Sequence, residues 1–284
     1  MLTSIRGLTA ATFAGAFALS TPALASEAEA DAAGSDVTTV LSGEVTQADF
    51  DRAMAEVDED KVSYQDGGSG FEFSGNVALV SEYRFRGVDL SGGDIAVQGG
   101  VDLAHSSGFY LGTWGSSLDE DTVGYGHTEL DVYGGFGGDL AEGVSFDIGV
   151  IAYLYPNAGP GDFDYIEFYG SLGFNLGPAE ATVGIAYAPD QDSLGSTDNL
   201  YLYTDLGIGI PNTPLTLTGH LGYTDGFLTF TDNSKAFDWS IGVEAAVAGP
   251  VSVGVAYVGA EGDFLPGDYN FTDDAIVLTL SASI

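Results

Sequence analysis

Apolar and polar residues alternate from Phe71 to the final Ile284, in stretches of about ten residues separated by turn residues. Between Phe71 and Arg86 the odd positions include Phe71, Phe73, Val77, Leu79, Tyr83 and Phe85, and the even ones Glu72, Ser74, Asn76, Glu82, Arg84 and Arg86. A period of two places the first set on one face of a strand and the second on the other. The ten steps from Phe73 to Tyr83, at ~3.3 Å each and tilted by roughly 40°, rise about 25 Å, the height of a membrane barrel's apolar band. About twelve strands are predicted, centred near Leu79, Gly99, Gly112, Val132, Val150, Phe168, Ile185, Leu206, Leu217, Val243, Val255 and Leu278. An even number brings both ends of the run to the same side.

The predicted connections alternate in length. His105-Ser106-Ser107-Gly108, Gly177-Pro178, Pro211-Asn212-Thr213-Pro214 and Gly249-Pro250 read as tight turns, whereas Ser117 to His127, Pro189 to Asn199, Asp225 to Asp238 and Glu261 to Asp274 read as long acidic loops. In an outer-membrane barrel the tight turns face the periplasm and the long loops face outward. A soluble β-sandwich or barrel shares the period of two but turns its apolar face inward, so alternation alone leaves both open. Three features favour the all-β antiparallel transmembrane barrel: an export signal, the even run of strands, and aromatics near strand ends. These last are Phe73, Tyr83, Phe85, Phe146, Tyr187, Tyr223, Phe237 and Trp239.

The export signal occupies residues 1–25: Arg6 near its start, an apolar Ala/Leu/Phe core through Leu19, and Ala23-Leu24-Ala25 before Ser26. Residues 26–70 are rich in Ala, Asp, Glu and Ser and end in Asp66-Gly67-Gly68-Ser69-Gly70, so they are expected to form an acidic, flexible periplasmic segment ahead of a barrel over 71–284. Within that segment Thr46 begins a short helical pattern with Phe50, Met54 and Val57 on one face. Asp58-Glu59-Asp60 fails as a calcium loop, because Val62, Ser63 and Ser69 stand where a ligand, a glycine and a glutamate are required.

Composition narrows the function. The formal charge is −36, with 42 acidic residues against six basic ones, which excludes a nucleic-acid partner held through phosphates. It also suits a saline habitat, where cations screen the self-repulsion. The absence of cysteine removes disulfides and thiol chemistry.

Ser81-Glu82-Tyr83-Arg84-Phe85-Arg86-Gly87-Val88-Asp89-Leu90-Ser91, Ala96-Val97-Gln98-Gly99-Gly100 and the run from Gly108 to Ser117 carry a family likeness. It continues through Glu129-Leu130-Asp131-Val132-Tyr133-Gly134-Gly135, Tyr153-Leu154-Tyr155-Pro156 and Tyr165-Ile166-Glu167-Phe168-Tyr169. Together these segments resemble the TorF family of porins, a Gcw_chp-type group of proteobacterial outer-membrane proteins. The resemblance implies a barrel in a Gram-negative outer membrane and transport, with no substrate to carry over. One departure is the Ser283-Ile284 end, where such barrels usually close on an aromatic residue.

With the apolar positions against lipid, the lumen receives Glu82, Arg84 and Arg86 from the first strand and Asp102, Glu129, Asp131, Asp147, Glu167, Asp205 and Glu244 from later ones. These residues are the candidate pore lining: acidic, with one basic strip. The two arginines either set up a transverse field across a constriction or pair with carboxylates such as Asp102 and Asp131. Tyr110, Trp114, Tyr133, Tyr153, Tyr155, Tyr165, Tyr169, Tyr201 and Tyr203 fall on the same side and are expected to fill a narrow lumen and bond its charged groups.

Catalysis has little to rest on. His105 and His127 border turns and loops, His220 lies in a predicted strand, and neither a Gly-x-Ser-x-Gly elbow nor a His-Glu-x-x-His site occurs. Acidic loop runs such as Asp119-Glu120-Asp121, Asp190-Gln191-Asp192 and Asp273-Asp274 read as hydrated surface in preference to Ca²⁺ or Mg²⁺ sites. The expected protein is a porin-like channel for small polar solutes or cations, seated in outer-membrane lipids, with no cofactor, no metal and no catalytic step. The alternative is a plugged structural or adhesion barrel acting through its acidic loops.

Overall fold

A computed structural model describes residues 70–229, 231–264 and 271–284. The expected export signal, nearly all of the expected acidic segment, its short helical pattern and the calcium-loop comparison lie outside the described residues. Twelve strands form one closed antiparallel barrel: β1 (Phe71–Val80), β4 (Ala96–His105), β5 (Phe109–Ser117), β6 (Thr128–Ala141), β7 (Val144–Leu154), β8 (Tyr165–Asn175), β9 (Ala179–Gln191), β10 (Thr197–Gly209), β11 (Leu215–Gly226), β12 (Thr231–Ala248), β13 (Val251–Phe264) and β14 (Ala275–Ser283). Two short strands, β2 (Arg84–Phe85) and β3 (Val88–Asp89), form a separate hairpin between β1 and β4. All twelve predicted strand centres fall inside barrel strands. Closure is made by β1, which pairs with β4 through Val80↔Ala96 and with β14 through Val80↔Thr279, leaving no free edge.

Burial decides which face meets which medium. Every barrel strand turns large apolar side chains outward, among them Leu79, Val101, Leu111, Val132, Val150, Phe168, Ile185, Leu206, Leu217, Ile241, Val255 and Leu278. Ile241 is 65% exposed and Phe168 52%. The inward positions of the same strands hold buried Glu129, Asp131, Asp147, Glu167, Asp238 and the tyrosines. A soluble β fold would show the reverse, and a continuous apolar exterior of this extent is stable only against lipid. The apolar outer face of the strands makes the crossing; no helix among the described residues is long and apolar enough to cross a membrane.

The tight turns sit at one end of the barrel, where Gly108, Gly143, Gly177, Asn212 and Gly249 take the left-handed backbone that such turns require. Two of the expected long loops are shorter than their sequence suggests. β9 runs on to Gln191 and β10 starts at Thr197, around a turn at Asp192–Leu194; β11 reaches Gly226 and β12 starts at Thr231, after a turn at Phe227–Thr229. Strands that project past the apolar band carry polar residues, and these look like loop composition in sequence.

The inner wall is uneven. On β5 to β11 tyrosine side chains press against inward glycines: a Cβ on Gly149 would meet the Tyr169 ring at 2.4 Å, and one on Gly184 would meet Tyr203 at 2.1 Å. Gly112 under Tyr133, Gly135 under Tyr110 and Gly222 under Tyr201 repeat the arrangement. The wall formed by β12, β13, β14 and β1 carries small inward residues instead, including Gly242, Gly254, Ala256, Thr279 and Ala78.

Candidate functional site in the barrel lumen

The first strand does not extend to Arg86. It ends at Val80, after which Ser81 is held by Leu278 through reciprocal bonds, Ser81 N–H to Leu278 O at 2.8 Å and Leu278 N–H to Ser81 Oγ at 2.9 Å, and the chain turns inward. The following hairpin pairs Phe85 with Val88 across a two-residue loop in which Arg86 (φ 50°) and Gly87 (φ 80°) are both left-handed. Two such residues in sequence are the signature of the tightest hairpin turn, whose twist matches that of its strands. Beyond it, Asp89 accepts the N–H groups of Ser91 (2.8 Å) and Gly93 (2.6 Å), and Tyr83 N–H donates to Ser91 Oγ at 2.8 Å, so the base of the excursion is closed on itself.

This hairpin corrects two expectations. Tyr83 and Phe85, assigned to an outward aromatic girdle, are turned into the barrel: Tyr83 is only 1% exposed, and Phe85 packs edge-on to Tyr153 at 5.8 Å. Glu82, Arg84 and Arg86 do reach the lumen, but from this inward excursion and not from the wall. Alternation misled because residues 84–89 really are paired as strands, within a hairpin of their own.

The hairpin spans the lumen from wall to wall. Tyr83 O–H donates to Glu129 on β6 at 2.7 Å, Arg86 Nη2 donates to Glu167 on β8 at 2.7 Å, and the Arg86 guanidinium lies 4.2 Å from the Tyr201 ring centre on β10. Gly87 abuts Asp238 and Ala260, where an added Cβ would come within 3.0 Å of either. Arg84 pairs with Glu82 and donates to the carbonyls of Gly87 (2.9 Å) and Phe271 (3.3 Å). The arginine partners are thus Glu82 and Glu167, not the Asp102 and Asp131 considered from sequence. The loop-side connection 118–127 leans on the same hairpin, since Asp119 N–H donates to Leu90 O at 3.0 Å. There Asp119 caps the short helix α1 (Glu120–Val123) by accepting Thr122 N–H at 2.9 Å.

The other inward carboxylates are bound mostly by tyrosines. Asp102 accepts Tyr133 O–H at 2.6 Å, Asp147 accepts Tyr110 O–H at 2.7 Å, and Tyr155 donates to Glu129 at 3.2 Å. Tyr110 and Tyr169 hydroxyls are also bonded to each other. Asp131 is buried beside Glu129 and Glu167, with its Oδ1 unpartnered. Glu244 is half-buried in a small cavity on the turn side, lined also by Thr218, Gly254, Ala256, Thr279 and Ser281.

Sequence reasoning missed one inward carboxylate of consequence. Asp238 was placed at a loop boundary, yet it lies on β12 and meets His220 Nε2 at 2.9 Å, while Asp205 meets His220 Nδ1 at 2.6 Å. Both ring nitrogens are thus engaged, Nε2 lying also 2.8 Å from the Tyr201 hydroxyl, so neither is left free to act as a base. Tyr201 O–H adds a donor to Asp238 at 3.0 Å. The Asp205↔His220 and His220↔Ser240 registers follow from strand pairing, which a single sequence does not reveal. Among the described residues, no group of three or more His, Asp or Glu side chains is arranged to hold a metal ion.

The match to known families follows this architecture. The family described as "Bacterial protein of unknown function (Gcw_chp)" matches residues 64–284, which spans the whole barrel. The chain belongs to the Gcw_chp family. No curated protein sequence matches it. Among solved structures, this Gcw_chp chain is similar to the KdgM porin, with a TM-score of 0.50 at 8% identity over 74% of this chain and 97% of that one. The NanC porin superposes with a TM-score of 0.49 at 8% identity, covering 74% and 97%, and OpdK of Pseudomonas aeruginosa with 0.41 at 13%, covering 76% and 67%. At such identities the likeness speaks for the fold alone. A closed twelve-stranded antiparallel barrel with a lipid-facing apolar exterior places this protein in the bacterial outer membrane.

Proposed function

We propose that the protein is a porin-like outer-membrane channel for the passive passage of small polar solutes or ions, with a preference for cations. The observation that carries the reading is the charge of the inner wall. Asp102, Glu129, Asp131, Asp147, Glu167, Asp205, Asp238 and Glu244 face inward, while the basic side chains inside are Arg84, Arg86 and His220 among the described residues. A low-dielectric wall focuses that negative potential and raises the local concentration of cations. A KdgM porin structure has been solved with oligogalacturonate. That acidic sugar chain belongs to the class of solute this wall would repel.

The hairpin crosses the lumen and tyrosines crowd the wall from β5 to β11, while the small-residue wall borders the cavity at Glu244. Passage therefore runs along β12, β13, β14 and β1 and requires the hairpin to yield. The same filling favours a second reading, a plugged barrel acting through its outer loops. Uptake into proteoliposomes separates the two. The channel reading expects a small organic cation to enter faster than an anion of equal size, and replacement of both Arg84 and Arg86 by Gln to widen the gap. Absence of uptake of any solute supports the plugged barrel, and faster anion entry refutes cation preference.

A further inference from the structure

The seat of Arg86 is better furnished than one tethered arginine needs. Glu167 is fully buried and gives its Oε2 to Arg86 Nη2 at 2.7 Å, while Glu167 Oε1, Asp131 Oδ1 and Arg86 Nη1 have no hydrogen-bond partner. Two acceptors and one donor thus stay unmatched in one buried neighbourhood, where Glu129 adds a third carboxylate. The guanidinium lies over two aromatic rings, 4.2 Å from the Tyr201 ring centre and 4.8 Å from that of Phe85. A planar cation held by a carboxylate and aromatic faces is how guanidinium groups are recognised in general. The residue delivering it is a non-glycine in left-handed backbone at a hairpin tip, a conformation with an intrinsic cost that marks positions where placement matters.

We propose that this seat is a binding site for solutes bearing a guanidinium group, and that Arg86 is a tethered stand-in for that solute, keeping the lumen closed until one displaces it. A free guanidinium can satisfy Glu167 with both its forks and reach Asp131, which Arg86, fixed by the hairpin, does not. Displacement loosens the hairpin tip, while its base keeps ties that include Tyr83 to Glu129, Arg84 and the Asp89 N–H to the Phe271 carbonyl, and Asp119 N–H to the Leu90 carbonyl. The inference rests on the channel reading and names a solute class for it.

The test is titration with guanidinium chloride at millimolar concentration, well below denaturing levels, on protein in vesicles. Trp114 stacks edge-on to Tyr83 at 5.8 Å and reports the hairpin by fluorescence. In Arg86→Ala, whose hairpin has lost its tether to Glu167, basal conductance should be raised, and guanidinium should produce a saturable change in emission without lowering it. In the wild-type protein the apparent affinity should be at least tenfold weaker, because Arg86 competes. In Arg86→Ala combined with Glu167→Gln, and with tetramethylammonium in place of guanidinium, saturation should vanish. A linear response equal in the single and double variants, or a wild-type response matching Arg86→Ala, overturns the proposal. Saturable binding without conductance in any variant sinks the channel reading while sparing the site; conductance without saturation does the opposite. Should Arg86→Ala fail to show the heat-modifiable mobility of a folded barrel, Arg86→Lys, which lacks the fork, takes its place under the same criteria.

Discussion

Placing an arginine at Val150 tests the assignment of the outer face in the most quantitative way. Val150 points outward from β7, 39% exposed, and lies six steps above Val144 at the turn end of that strand. At ~3.3 Å per residue and a tilt of roughly 40°, six steps lift it about 15 Å, close to the middle of an apolar band of about 25 Å. An arginine at the midplane of a membrane barrel costs about 2–4 kcal/mol, which lowers the folding equilibrium by about 30- to 900-fold at ~1.36 kcal/mol per decade. Ile276, equally outward and 67% exposed, is the second residue of β14 at the loop end, so an arginine there should cost about 0–1 kcal/mol. Equilibrium unfolding in lipid vesicles, followed by tryptophan emission, measures both. The reasoning fails if Ile276→Arg costs as much as Val150→Arg, or if neither costs anything, because depth dependence is peculiar to a lipid-facing wall.

Gly184→Ala should drive its new Cβ into the Tyr203 ring, 2.1 Å away, costing about 1–3 kcal/mol and lowering conductance as the ring swings inward; unchanged stability and conductance would contradict the tyrosine-on-glycine wall. His220→Asn leaves Asp205 and Asp238 facing each other uncompensated, and because the Asp205 side chain is 31% exposed the loss should be about 3 kcal/mol, the low end for breaking a buried pair. Adding Asp238→Asn should recover most of it, and a double variant as unstable as the single one would show that the cluster is not an ion pair. An epitope inserted at exposed Ser196, in the turn between β9 and β10, should label on intact cells; labelling only after permeabilisation would invert the barrel.

Much of the barrel was legible because its two media impose a period of two over every strand. Leu79, Val132, Val150 and Phe168 face outward and Glu129, Asp131, Asp147 and Glu167 inward, as their parity predicts. The choice between lipid outside and core inside was not contained in the period; it needed burial. The hairpin escaped for a related reason, since Tyr83, Phe85 and Arg84 keep strand alternation while leaving the wall, and the left-handed turn falls on Arg86-Gly87 without the Asn or Asp that usually announces it. Asp238 escaped because β12 projects beyond the apolar band, where a strand's polar residues resemble a loop's. The tyrosine partners of Asp102 and Asp147 depend on cross-strand register, which turn lengths constrain but a single sequence does not state.

The central claim is that an acidic inner wall governs what crosses. Reversal potential in a planar bilayer, with purified protein and a tenfold salt gradient, tests it most directly. The account predicts a potential positive on the dilute side, tending towards the ideal cation limit of about 59 mV, and larger still in Arg84→Gln/Arg86→Gln. A potential of the opposite sign in the unmodified protein would contradict it.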